Sequence, residues 1–134
     1  MDQELLITQN KDSLTIVYYS KTKQTEKFVS KLLNKIDIST IKIHDGLVIE
    51  TPFILLTPTY FFGEVPKEVT EFLHHNHNNL VAVMSSGNRN WGQNFAKSGE
   101  TISKEYNVEL IGKYELAGNN QDIERLVSYI NKRR

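Results

Sequence analysis

Three short segments carry the residue types that could do chemistry. Ser20-Lys21-Thr22-Lys23-Gln24-Thr25 is rich in hydroxyls and bears two cations. Thr57-Pro58-Thr59-Tyr60-Phe61-Phe62-Gly63 ends in three consecutive aromatics. Ser86-Gly87-Asn88-Arg89-Asn90-Trp91-Gly92 holds the only tryptophan, set among residues that tolerate unusual backbone angles.

The first segment suits an anion if a helix starts within it. The free N–H groups and partial positive charge of a helix start attract phosphate, and Ser20, Thr22 and Thr25 add hydroxyl donors. The alternative is an ordinary capped helix, with Thr25 as cap and Lys27, Lys31 and Lys35 as a solvated stripe. No GxxxxGK[ST] is present, which argues against a nucleoside triphosphatase. The second segment offers a wall for a flat aromatic ligand, or aromatics packed beneath their own loop. The third offers backbone donors to the edge of a heterocycle and Trp91 for its face, or a polar turn around a buried Trp.

The elements that must position these segments follow from periodicity. Leu14–Tyr19, Ile38–Ile43, Phe53–Leu56, Leu80–Met84 and Val108–Leu116 read as strands. Helices are predicted over Thr25–Ile36, from Pro66 onward, over Gln93–Tyr106 and over Asp122–Lys132. Their inner faces are Phe28, Val29, Leu32, Leu33 and Ile36; then Val69, Phe72 and Leu73; then Phe95, Ser98/Gly99, Ile102 and Tyr106; then Ile123, Leu126, Val127 and Ile130. The small pair Ser98/Gly99 predicts a close helix–sheet approach. Alternating strands and helices imply an α/β fold. Right-handed crossovers then favour a doubly wound five-stranded parallel sheet in the order 2-1-3-4-5. Such sheets bind ligands beyond the carboxyl ends of their strands, and all three segments fall there. Residues 14–134 form this domain, and residues 1–13 are an extension, either a frayed arm or an added strand using Leu5-Leu6-Ile7.

Composition bounds the function. The 134 residues fit one domain and contain no cysteine, so any redox chemistry requires a bound cofactor. Sixteen basic and sixteen acidic residues balance, with pI near 6.9, and no global field favours nucleic acid or an anionic membrane. Met1 to Asn10 lacks the pattern of a secretory signal, and no apolar run could span a bilayer, so a cytoplasmic location is expected. His74-His75-Asn76-His77 has no carboxylate among its histidines, and His74 and His75 are better read as closing a helix.

Thr59 to Pro66, Ser86 to Ala96, Ile102-Ser103, Tyr106 to Val108 and Tyr114 to Gly118 together resemble the NrdI family. These are small flavodoxin-like proteins serving class Ib ribonucleotide reductase, and the likeness spans roughly Leu14 to Ile130. The resemblance implies FMN as cofactor. It also implies a redox-activating flavoprotein rather than a substrate-turnover enzyme. Reduced flavin would pass electrons to dioxygen, and superoxide would help assemble the dimanganese–tyrosyl radical cofactor of the reductase's small subunit. A flavin reductase would recharge it.

By the same resemblance, Ser20, Thr22 and Thr25 hold the phosphate, with Lys21, Lys23 and Gln24 in that loop. Thr57, Pro58, Thr59 and Tyr60 to Gly63 border the isoalloxazine near N5. Trp91 stacks on it, and Ser86, Gly87, Asn88, Asn90 and Gly92 lie along its edge.

Two positions depart from the family. Lys23-Gln24 stands where Gly-Asn is frequent, and Phe61 stands where short-loop members carry Gly or Asn. A positive φ at Phe61 would cost about 1–2 kcal/mol and shift the balance between one- and two-electron reduction. Lys21, Lys23 and Arg89 are expected near the ligand against Glu64, an environment that tolerates an anionic reduced flavin. Other readings are a general flavodoxin electron shuttle, a flavodoxin-like interaction module without FMN, and a metal protein using the histidines.

Overall fold

The computed structural model describes residues 13–134, so Leu5-Leu6-Ile7 lies outside the described residues. Strand β1 (Thr15–Tyr18) enters helix α1 (Lys23–Leu33), followed by β2 (Ser39–Lys42) and β3 (Phe53–Thr57). Helix α2 (Lys67–Asn76), β4 (Leu80–Gly87), α3 (Lys97–Tyr106), β5 (Glu109–Glu115) and α4 (Asn120–Arg133) complete the order. The five strands form one sheet, β2-β1-β3-β4-β5, and every pairing is parallel. This is the doubly wound order expected from the sequence.

Successive strand residues point to opposite faces, and the core divides accordingly. Ile16, Ile54, Leu56, Ala82 and Met84 pack with Phe28, Val29 and Leu32 of α1 and Ile123, Leu126 and Ile130 of α4. Val17, Phe53, Leu55 and Val83 pack with Val69, Phe72 and Leu73 of α2 and Ile102 of α3. Every residue of β3 is buried, as a central strand covered on both faces must be.

Three local expectations are corrected. Leu33 is exposed, because α1 ends there and the chain turns away. Thr25 is not a cap: α1 begins at Lys23, and Thr25 sits buried in its first turn. The helix expected from Gln93 starts only at Lys97. A short 3₁₀ segment covers Arg89–Asn94, broken at Gly92 (φ 57°, ψ −120°), and Ala96 follows at φ 50°. Phe95 is therefore outside α3, half-buried, with the Arg89 guanidinium 4.6 Å from its ring centre.

Candidate functional site

The loops after β1, β3 and β4 converge at the carboxyl edge of the sheet, as the winding requires. In the first, Ser20 is buried, and its hydroxyl donates to the Thr22 carbonyl. Thr22 occupies the N-cap of α1 in extended conformation but makes no side-chain cap bond. The leading N–H groups of α1 thus lack the intrahelical acceptors that later residues have, and no side chain replaces them. Lys21, Thr22 and Lys23 are exposed around this helix start, and Gln24 is half-buried.

The second loop is a tight hairpin. The Tyr60 N–H donates to the Glu64 carbonyl at 2.9 Å, and the Glu64 N–H returns a bond to the Tyr60 carbonyl at 2.7 Å. Phe61 adopts φ 49° and Gly63 φ 97°, so the left-handed conformation that was expected to be costly at Phe61 is present. The hairpin throws Phe61 and Phe62 into solvent, at 66% and 72% exposure. Beneath it, the hydroxyls belong to the scaffold. Thr57 donates to the Pro58 carbonyl at 2.9 Å, and Thr59 shares a 2.7 Å bond with Ser98 of α3. The Tyr60 hydroxyl is buried without a hydrogen bond of normal geometry, and burial raises its pKa. Tyr19 and Glu68 face it.

In the third loop, Asn88 caps the 3₁₀ turn by accepting from the Asn90 N–H at 2.9 Å. That turn holds Trp91 45% exposed, with its ring 5.3 Å from Phe62 in an edge-on contact. The aromatics of two loops therefore meet. Ser86 is buried in β4, and the Ser85 hydroxyl donates to the Ala96 carbonyl at 2.6 Å, pinning the loop's return. Arg89 does not stand as a free cation: Glu115 pairs with its guanidinium at 3.4 Å and accepts from its N–H at 3.2 Å.

Glu115 belongs to a fourth contributor, the end of β5, which was not assigned to the site from sequence. The Leu116 N–H donates to the Gly87 carbonyl at 3.1 Å, and Tyr114 lies wholly buried next to β4. The only sequence signal was that Tyr114 to Gly118 formed part of the family likeness.

The histidines go elsewhere. His74 and His75 lie in the last turn of α2, while His77 bonds the Leu73 carbonyl at 2.9 Å and stacks on Tyr106. Among the described residues, no group of three His, Asp or Glu is arranged to hold a metal ion. A separate cavity of about 410 Å³ between α2 and residues 43–48 is lined by Tyr19, His44, Leu47, Glu68, Phe72 and His75, away from the third loop.

The edge suits a phosphorylated flat ligand. It offers an uncapped helix start ringed by hydroxyls, a buried and unsatisfied Tyr114 hydroxyl below it, and apolar rings held in solvent beside it.

Comparison with known proteins agrees in fold. A short-chain flavodoxin associated with a non-canonical PDU bacterial microcompartment aligns with TM-score 0.67 and 18% identity, over 89% of this chain and 94% of that one. Flavodoxin 1 of Bacillus cereus aligns with TM-score 0.65 and 17% identity, over 90% and 96%. A Fusobacterium nucleatum flavodoxin bound to flavin mononucleotide aligns with TM-score 0.56 and 18% identity, over 90% and 95%. At such identities the likeness speaks for the fold alone. The family described as "NrdI Flavodoxin like" matches residues 16–128, nearly the whole described domain. This chain therefore belongs to the NrdI flavodoxin-like family, whose role is flavin redox chemistry.

Proposed function

We propose that this chain binds FMN at the carboxyl edge and activates a class Ib ribonucleotide reductase. The observation that carries the reading is one juxtaposition: the uncapped start of α1 lies on the same sheet edge as the solvent-exposed rings of Phe61, Phe62 and Trp91. A phosphate and an isoalloxazine need those two environments side by side.

When bound and reduced, FMN supplies electrons to dioxygen, and the superoxide formed is the oxidant for the dimanganese–tyrosyl radical cofactor of the partner's small subunit. The chain's own residues set the stage. The N–H groups of α1, with the Ser20, Thr22 and Thr25 side chains and the Lys21, Lys23 and Gln24 segment, hold the phosphate. Tyr60, Phe61, Phe62 and Gly63 border the ring near N5, held from beneath by Thr57, Pro58 and Thr59, and Trp91 covers a face. Ser86, Gly87, Asn88, Asn90 and Gly92 follow its edge. Lys21 and Lys23 favour an anionic ligand, whereas Arg89 is paired with Glu115. A flavin reductase completes the cycle, and the chain works in the cytoplasm.

The test is direct. The purified chain is loaded with FMN, reduced anaerobically, and exposed to oxygen with a manganese-loaded class Ib small subunit. Tyrosyl radical formation dependent on this chain is expected. A chain that takes up no FMN refutes the proposal. One that binds FMN but yields no radical favours a general electron shuttle.

A further inference from the structure

Tyr114 sits at the carboxyl end of β5 with no exposed surface, and its hydroxyl is buried without a hydrogen bond of normal geometry. Its ring stacks on Phe28 of α1, with centroids 4.0 Å apart and planes 13° from parallel. Gly118 packs against this stacked pair, where a Cβ would meet the Phe28 ring at 2.6 Å and Tyr114 Cδ2 at 3.3 Å. Two other hydroxyls neighbour it: Ser86, the register partner of Tyr114 in β4, and Thr25, one turn before Phe28 on the same buried face of α1. These belong to two of the three loops at the candidate site. Burial raises the Tyr114 pKa, so the group keeps its proton.

A buried hydroxyl without a partner is a cost to the unliganded fold. It persists here at a junction between two ligand-facing loops. We infer that Tyr114 is a positioning residue for phosphate binding: its hydroxyl donates to the Thr25 oxygen and turns the Thr25 proton outward, toward an anion at the start of α1. The donor chain then runs from Tyr114 through Thr25 to the phosphate. An anion at the helix start would accept from the Thr25 end of this path.

This inference rests on the proposed FMN site and has its own test. Tyr114→Phe removes one buried oxygen and keeps the ring stack. Wild type and Y114F are titrated with FMN and with riboflavin, which lacks the phosphate, and both unliganded proteins are melted. Expected are FMN affinity reduced about tenfold or more in Y114F, riboflavin affinity equal in the two proteins, and an unliganded Tm unchanged or raised. Equal FMN affinity overturns the inference and leaves flavin binding intact. A lowered unliganded Tm also overturns it, because the hydroxyl would then already have a structural partner. If wild type takes up neither flavin, both readings fall.

Discussion

At the residue scale, Phe61 shows how a local rule and a loop can disagree. A bulky side chain at φ 49° costs about 1–2 kcal/mol relative to the right-handed region. The paired bonds between Tyr60 and Glu64 fix the hairpin and hold Phe61 there. Its ring contributes little burial in return, at 66% exposure, with an edge contact to Tyr60 at 6.2 Å. Phe61→Gly should therefore be neutral or stabilise the unliganded fold by up to about 1 kcal/mol, after the entropy that glycine loses on folding. Urea denaturation checks this; a loss greater than about 1 kcal/mol would mean that the ring contact outweighs the strain. That Phe61 is a departure was legible in the sequence. That it nonetheless takes the left-handed angle was not, because the hairpin bonds deciding it lie in neighbouring residues.

At the element scale, most helix faces were readable, and Pro66 was read correctly at the head of α2, but the starts of α1 and α3 were not. Phe28, Val29 and Leu32, and likewise Ile123, Leu126 and Ile130, keep the periodicity that reveals α1 and α4. The start of α3 was misread because Gln93 to Ala96 contains good helix formers, while the break is made by backbone angles at Gly92 and Ala96. The Ser98/Gly99 pair was read correctly as a close approach. A Cβ on Gly99 would stand 2.8 Å from Leu110 Cδ1 and 2.9 Å from Ser85 Cβ, so α3 is seated directly on β4 and β5. Gly99→Ala should cost about 1–3 kcal/mol by overpacking and should loosen the third loop, because Ser85 also pins Ala96. Thermal unfolding reads the first effect, and protease cleavage within residues 88–95 reads the second. A fully stable G99A would show that the seat can relax.

At the scale of the whole molecule, the exposed apolar rings cluster at the edge where the three loops meet. Phe62 is 72% exposed, and its edge contact with Trp91 joins the second loop to the third. If this is the docking face for the reductase subunit, Phe62→Ala should weaken that association by about tenfold while leaving unfolding stability nearly unchanged. Binding measured by surface immobilisation checks it; unchanged affinity removes Phe62 as an anchor. Among the described residues no helix is long and apolar enough to cross a membrane. By itself, the sequence determined the α/β class, the sheet order and the family, because strand–helix alternation, apolar periodicity and the Ser86 to Gly92 segment are local patterns. Tertiary structure alone decided that Tyr114 lies buried beside Ser86 and over Phe28, that Glu115 pairs with Arg89, and that Thr57 and Thr59 bond within the scaffold. Tyr114 and Glu115 stand far along the chain from Thr25 and Arg89, and only the packing of β5 against β4 and of α1 over the sheet brings them together.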